Sequence, residues 1–275
     1  MTSGFKIKSS ESQGGGIKAV AGNAAQSLKL LSHLAPRVQC ITNPVAMDFS
    51  ADILLAVGAQ SSMTLGVEEI SEFVASASSL SINTGTLDNI RRAAISTAID
   101  VAADYHKPWV LDPVSVHVSS SRRSFALGLL EKMPAVIRGN YAEIHALAND
   151  DSPNAPQRLA RQTGAVVVQS GETDLITDGR RTVLMTNGAL LQTRVAAMGC
   201  ASSALIGGFL AVTDNAFDAA VHAILAIGVA AEEALKLGEG PGSFKMHLLD
   251  CLYRLDEATL VRRGRVIQCE ERVAV

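Results

Sequence analysis

The amino-acid sequence predicts an α/β fold with a mostly parallel central sheet and helices on both faces. Short apolar runs alternate with longer stretches of helical periodicity through most of the 275 residues. Small, polar or acidic residues follow the apolar runs, as they do at ligand-facing strand ends in such sheets. Hydrophobic residues make up 48% of the chain and charged residues 19%. That balance excludes disorder and supports a large core, with helices buried on more than one face or an extensive subunit interface.

Taken in order, residues 1–16 are polar and Ser/Gly-rich and lack the apolar stretch of a secretory signal. Residues 1–20 are expected to form a flexible tail of a cytoplasmic protein, and 21–275 a single domain. A helix over 25–34 ends before Pro36, and a strand over 38–42 runs into the Asn43-Pro44 turn. A helix over 45–57 stops at Gly58. Strand 79–83 precedes helix 87–105. Strand 109–111 ends at Asp112-Pro113, and helix 124–132 follows. Strand 135–138 ends at Gly139-Asn140 before helix 142–148, and strand 165–170 ends at Gly171-Glu172. Strands 174–177 and 182–186 flank the turn Asp178-Gly179. Helices are expected over 201–212, 216–237 and 244–255.

Composition narrows the function. The net charge of -3 gives no global basic field for nucleic acid or anionic lipid. Aromatic residues at 4%, with one Trp, disfavour base-stacking platforms. Cys40, Cys200, Cys251 and Cys269 form no CxxC pair, and their spacings do not suit a disulfide scaffold. Residues 195–213 are uncharged and long enough to span a bilayer. Their Ala, Gly and Ser content, bounded by Arg194 and Asp214, reads better as a buried helix beginning at a Gly turn.

The strand ends carry the candidate chemistry. Gly199 before a helix N-terminus admits an anion to backbone N–H groups. Cys200 there is either a thiolate favoured by the helix field, acting as a base or lying beside a reacting hydroxyl, or a small buried cysteine. Asp112 and Glu143, on two loops, suit a hydrated Mg²⁺; the alternatives are a helix cap and a solvated face. Arg122 and Arg123, after three serines, would hold phosphate oxygens or sit on a solvated turn. The run GEGPGSFK lacks P-loop spacing. No GxGxxG follows a strand, no GxSxG occurs, and the six histidines form no zinc pattern.

Several segments together resemble the hydroxyethylthiazole kinase family of the ribokinase-like superfamily. They are QCITNPVAMDFSADILLAVGA (39–59), SSMTLGVEEI (61–70), SINTGTLD (81–88), VLDPVSV (110–116), VIRGNYAEI (136–144), QSGETDLITDG (169–179), VAAMGCASSALIGGF (195–209) and GPGSFKMHLLDCLYRL (240–255). They are collinear and cover nearly everything from about residue 25 to 255.

The resemblance implies one ribokinase-like kinase domain that uses ATP and Mg²⁺ to phosphorylate the primary alcohol of 4-methyl-5-(2-hydroxyethyl)thiazole in thiamine biosynthesis or salvage. It implies that Met47, Asn43 and Ala197 bind the thiazole, and that Arg122, Ser170, Asn140 and Gly199 bind ATP. Asp112 and Glu143 would hold the metal, and Cys200 would take the catalytic position. It further implies a homotrimer in which Met47 and Asn43 meet residues 61–64 of a neighbour, with no nucleic-acid or membrane partner. Two alternatives are a kinase for another small primary alcohol and a weakened thiazole- or nucleotide-binding protein. Where the family reads VTGTGC this chain has VAAMGC (195–200), and where it reads DPVGAGAT this chain has DPVSVHVS (112–119). Ala197 and Met198 are therefore expected to narrow the anion-binding loop, and the family's His after Met63 is Leu65.

Overall fold

Strands apolar on both sides need cover on both faces, and runs such as Val166-Val167-Val168 are of this kind. In the computed structural model, which describes residues 5–7 and 10–271, they form the middle of a ten-stranded sheet. The elements are β1 (Phe5–Ile7), α1 (Ser10–Leu34), β2 (Arg37–Ile41), α2 (Met47–Ala56), β3 (Gln60–Ser62), α3 (Ile70–Ser76) and β4 (Ser79–Asn83). Next come α4 (Asn89–Asp104), β5 (Trp109–Asp112), α5 (Ser120–Leu130), β6 (Val136–Asn140), α6 (Tyr141–Ala148), α7 (Ala155–Thr163) and β7 (Val166–Ser170). β8 (Asp174–Thr177), β9 (Thr182–Met185), a 3-10 turn (Leu190–Arg194), α8 (Met198–Leu210), α9 (Ala216–Leu235), α10 (Pro241–Tyr253), α11 (Glu257–Arg263) and β10 (Val266–Glu271) complete the order.

The strand order is β1-β10-β9-β8-β7-β6-β5-β4-β2-β3. Strands β2 to β7 run parallel, while β8, β9, β10 and β1 extend the sheet in antiparallel fashion. One face carries α1, α2, α8, α9, α10 and α11 over a core that includes Val38, Val110, Val136, Val168 and Phe209. The other carries α3 to α7 over Leu80, Ile82, Leu111, Ile137 and Val167. Nearly every residue of α8 is buried, as is most of α9, so the apolar composition serves helices enclosed on several sides.

The expected α/β architecture is therefore present, with several additions. The tail expected over 1–20 is helical from Ser10 onward, and residues 1–4 lie outside the described residues. This helix persists because α1 packs on α9 and α11, with Ala21 and Ala24 fully buried. Helix α5 begins at Ser120, earlier than residue 124, because Ser119 caps it by accepting from the Arg122 N–H. Arg122 and Arg123 thus sit in a first helical turn, not in a loop. β3, α3, α7, α11, β10 and β1 are further elements. Pro156 does not interrupt α7, because it occupies the first turn, where no N–H is required. Among the described residues no helix is long and apolar enough to cross a membrane, and 195–213 holds α8 with its approach.

Helix α8 lies unusually close to the sheet. Gly207 presents no side chain to β2 and β4, and its carbonyl accepts a 2.6 Å hydrogen bond from Ser79 Oγ. A Cβ there would stand 3.1 Å from Val38 Cγ1, so bulk at this point lifts the helix. Gly207→Leu is expected to destabilise the fold by about 2–3 kcal/mol, measured by urea unfolding. Unchanged stability would show that α8 is not seated through this contact.

Candidate active site

Strand alternation decides which side chains face α8. In β6, Val136 packs into the α8–α9 core and Ile137 into the opposite one, so Arg138 faces α8. The same alternation places Asp112 of β5, Asn83 of β4 and Ser170 of β7 on that side, all at carboxyl ends of parallel strands. The chain reaches α8 through the 3-10 turn, an extended Val195 and a left-handed Ala197 at φ 63°. The N-terminus of α8, with Gly199 and Cys200, is thereby brought over these strand ends.

Asn83 organises the centre. Its Nδ2 donates to Asp112 Oδ2 at 2.6 Å and to Cys200 Sγ at 3.2 Å. Its Oδ1 accepts from the Gly85 N–H at 2.9 Å and from Asn43 Nδ2 at 3.2 Å. Asn43 Nδ2 also reaches Cys200 Sγ at 3.3 Å. A Cβ on Gly85 would stand 2.9 Å from Asn83 Oδ1, so this close approach requires glycine. Ser203 Oγ donates to Asp112 Oδ2 at 3.1 Å. Buried Arg91 donates to the Asn83 carbonyl at 3.3 Å, tying α4 to the same point.

Asp112 is 1% exposed. Burial pushes its pKa up to about 6, against the pull of Arg138 and with a further push from Glu143. Burial, reinforced by Asp112, pushes the Cys200 thiol up to about 12. This favours the buried-cysteine reading over the thiolate: a helix N-terminus contributes roughly 0.3–1 kcal/mol, whereas desolvation of a charge shifts a pKa by as much as several units. Cys200 is a neutral thiol facing two amides.

A cleft of ≈ 580 Å³ opens beside this network, lined by Arg138, Ser170, Asn187, Ala197, Gly199 and Ser202 among others. A smaller cavity of ≈ 260 Å³ lies on the other side of the loop, lined by Val45, Asp48, Phe49, Val195, Ala196 and Lys245. The two share Val195, so the 195–197 loop stands between them.

The structure brings together Asn43, Asp112, Ser170, Ala197, Gly199 and Cys200. Met47, half-buried at the start of α2, lines neither cavity, although Val45, Asp48 and Phe49 around it line the smaller one. Arg122 does not line the large cleft; its Nη1 donates to the Val114 carbonyl at 3.4 Å. Asn140 caps α6, accepting from the Glu143 N–H at 3.0 Å, and it too lies off the cleft lining. Glu143 is buried, not solvated: Oε1 accepts from the Ser115 N–H at 2.8 Å and Oε2 from the Asn140 N–H at 2.9 Å. Met198 is 9% exposed and packs into the core, yet it lines the large cleft together with Ala197. Asn83, Arg138 and Ser203 were not among the expected site residues. For Asn83 and Arg138, strand alternation carried one step further would have pointed to them.

Among the described residues no group of three or more His, Cys, Asp or Glu is arranged to hold a metal. The donor set fits a hydrated cation instead. Asp112 Oδ2 takes two hydrogen bonds, none of the described side chains donates to Oδ1, and each Glu143 oxygen keeps a second acceptor position. Mg²⁺ retains waters and takes phosphate oxygens, so two carboxylates suffice.

A doubly covered parallel sheet with a helix N-terminus over its strand ends, a buried aspartate and clefts on both sides of the intervening loop defines a ribokinase-like kinase architecture. The fold agrees with a ribokinase-like protein of Enterococcus faecalis V583, at TM-score 0.66 and 13% identity over 87% of this chain and 95% of the other. A sequence profile of the hydroxyethylthiazole kinase family matches residues 28–258, and the chain belongs to that family. It is 41% identical to a hydroxyethylthiazole kinase of Escherichia coli O6:K15:H31 (strain 536) over 251 residues, 86% of this chain and 96% of the relative. The structure of the hydroxyethylthiazole kinase protein of Pyrococcus horikoshii OT3 superposes with TM-score 0.87 at 35% identity, covering 90% of this chain and all of the other.

Two predictions follow from the site's energetics. Asp112 holds its proton more tightly in the folded chain than in the unfolded one. Folding therefore takes up a proton between about pH 4 and pH 6, and stability falls as pH rises through that window. In metal-free buffer at pH 7.5, Asp112→Asn is expected to be more stable than wild type by about 2–3 kcal/mol, the gap closing near pH 4. A less stable variant at pH 7.5 contradicts this. The second concerns Ala197 and Ser115, which hold left-handed φ of 63° and 58°. Both stand where the resembling motifs have Gly. Ala197→Gly and Ser115→Gly are each expected to add about 0.5–1 kcal/mol in thermal unfolding; a loss in both would show that this backbone is unstrained.

Proposed function

We propose that this chain transfers the γ-phosphoryl group of Mg·ATP to the primary hydroxyl of 4-methyl-5-(2-hydroxyethyl)thiazole, in the cytoplasm, as a step of thiamine salvage. The observation that carries the reading is the pair of cavities meeting at loop 195–197, at the N-terminus of α8, whose Ser203 hydrogen-bonds to Asp112. ATP occupies the larger cleft, against Ser170 and Gly199. The thiazole lies in the smaller cavity, against Val45, Phe49 and Ala196; the family resemblance adds Met47, Asn43 and Ala197, which flank these positions in the chain, and directs its hydroxyl toward Cys200. Family membership and the Escherichia coli relative support the choice of acceptor.

In the reaction the alcohol oxygen forms a bond to the γ-phosphorus. The bond from that phosphorus to the β,γ-bridging oxygen breaks, its electron pair leaves with ADP, and the hydroxyl proton passes to solvent. Transfer of this kind depends mainly on positioning and charge neutralisation. Asp112 and Glu143 would hold Mg²⁺ through its water shell, and the cation would neutralise phosphate charge. Asn43 and Asn83 fix Cys200, whose neutral thiol packs against the acceptor carbon chain. Backbone N–H groups at Gly199 and Cys200 meet charge developing on the phosphoryl oxygens.

The test is ³¹P NMR of ATP, Mg²⁺ and hydroxyethylthiazole with the purified protein. ADP and a new phosphomonoester signal are expected, and Asp112→Asn should lower Mg²⁺-dependent turnover at least about 100-fold. This variant is preferable to Glu143→Gln, which would also strip an acceptor from the Ser115 or Asn140 N–H. Turnover with another small primary alcohol, but not the thiazole, would replace the acceptor. No turnover with any alcohol would overturn the reading.

We also infer a homotrimer with sites at its interfaces, where Met47 and Asn43 approach residues 61–64 of a neighbouring copy. The unpaired edge of β3 and the exposed Val45, Leu55 and Met246 support it, being 72%, 58% and 55% accessible. Light scattering should give three times the 28.8 kDa chain mass; a monomer at micromolar concentration contradicts it.

A further inference from the structure

Arg138 is placed where a cation is unexpected. Alternation along β6 turns it toward α8, and its Nη1 lies over the Cα of Gly199, so that any Cβ on residue 199 would collide with it. The guanidinium therefore faces the first turn of a 13-residue helix, the end that carries positive partial charge. Cation and helix end repel each other across a half-buried cleft. Nothing among the described residues relieves this directly. Arg138 makes no hydrogen bond or ion pair with them, and its Nε is buried without a partner. Asp112 and Asp174 act on it only at longer range.

A half-buried guanidinium whose Nε is buried without an acceptor has an unmet hydrogen-bonding need, and two positive groups set side by side call for an anion that both can reach. Arg138 also lines the large cleft with Ser170, Gly199 and Ser202. It stands on the neighbouring strand to Asp112, on the side where the γ-phosphoryl must pass to reach the acceptor cavity.

We propose that Arg138 is a catalytic residue that grips the transferring phosphoryl group side by side with the α8 N-terminus. The inference rests on the kinase reading above. A guanidinium presents a planar fork of donors that matches two phosphoryl oxygens. As the bond to the β,γ-bridging oxygen breaks and that to the alcohol oxygen forms, negative charge on those oxygens faces both Arg138 and the neighbouring N–H groups of Gly199 and Cys200. Arg138 neither gives nor takes a proton. Gly199 is bare so that fork and backbone can approach the same group.

The experiment uses the full chain with Arg138→Met, which keeps most of the apolar stem, and Arg138→Lys, which keeps the charge. Binding of Mg²⁺ with a non-hydrolysable ATP analogue is compared with binding of Mg²⁺ and ADP by calorimetry, with no acceptor present. In wild type the analogue should bind more tightly than ADP. Arg138→Met should reduce that preference about tenfold, and Arg138→Lys should restore part of it. In turnover with hydroxyethylthiazole, Arg138→Met should lower kcat at least about 100-fold while the thiazole KM changes less than about threefold. Wild-type turnover accompanied by near-normal kcat in Arg138→Met overturns the proposal and leaves the kinase reading standing. Absent wild-type turnover with any alcohol overturns the kinase reading. The nucleotide arm still decides on Arg138: an unchanged preference in Arg138→Met overturns its grip on the terminal phosphate. If Arg138→Met does not fold, Arg138→Lys decides alone, and a nucleotide preference and kcat equal to wild type overturn the proposal.

Discussion

The site depends on how closely α8 is seated on the sheet. Gly207 and the small Ser79 and Ser81 let the helix come down onto β2 and β4, and its N-terminus therefore arrives at the height of the strand ends. A helix lifted by one methyl layer would carry Gly199 and Cys200 away from Asn83, Asp112 and Arg138. The hydrogen bonds that join Cys200 to Asn43 and Asn83, and Ser203 to Asp112, exist only at that separation. Core packing far from the cleft thus fixes the geometry of the chemistry.

The charges gathered there oppose folding more than they assist it. Asp112 is buried in a place that favours its proton, and Arg138 lacks acceptors among the described residues. Ala197 and Ser115 hold a backbone region that L-residues avoid. Each is intelligible as preparation for ligands: a cation beside Asp112, an anion beside Arg138, a tight loop between two cavities. Stability given up at a site and recovered on binding is a common trade, and here Asp112, Ser115 and Arg138 at the ends of β5 and β6 meet Ala197 of the loop before α8.

Much of this was legible in the sequence, and the remainder failed for physical reasons. The strand–helix alternation and the turn residues located β2, β4, β5, β6 and β7, and with them Asp112, Ser170, Gly199 and Cys200. Asn83 stood among the strand-end residues without a role, and Arg138 was hidden because a polar residue inside a strand declares its role only once the partner on its face is known, and α8 is some 60 residues away from Arg138 in the chain. Helix α7 was obscured by Pro156, and the start of α1 by glycines 14–16, both of which read locally as breakers. The order of residues left Cys200 open between a thiolate and a buried cysteine; burial beside Asp112, a larger effect than the helix field, decides for the neutral thiol.

The central claim is that a phosphoryl group is held jointly by Arg138 of β6 and the N-terminus of α8. Diffraction from crystals grown with Mg²⁺ and a non-hydrolysable ATP analogue tests it most directly. The account predicts the terminal phosphate within hydrogen-bonding distance of both the Arg138 guanidinium and the backbone N–H groups at Gly199 and Cys200. A nucleotide bound elsewhere, or a terminal phosphate that touches neither group, would contradict it.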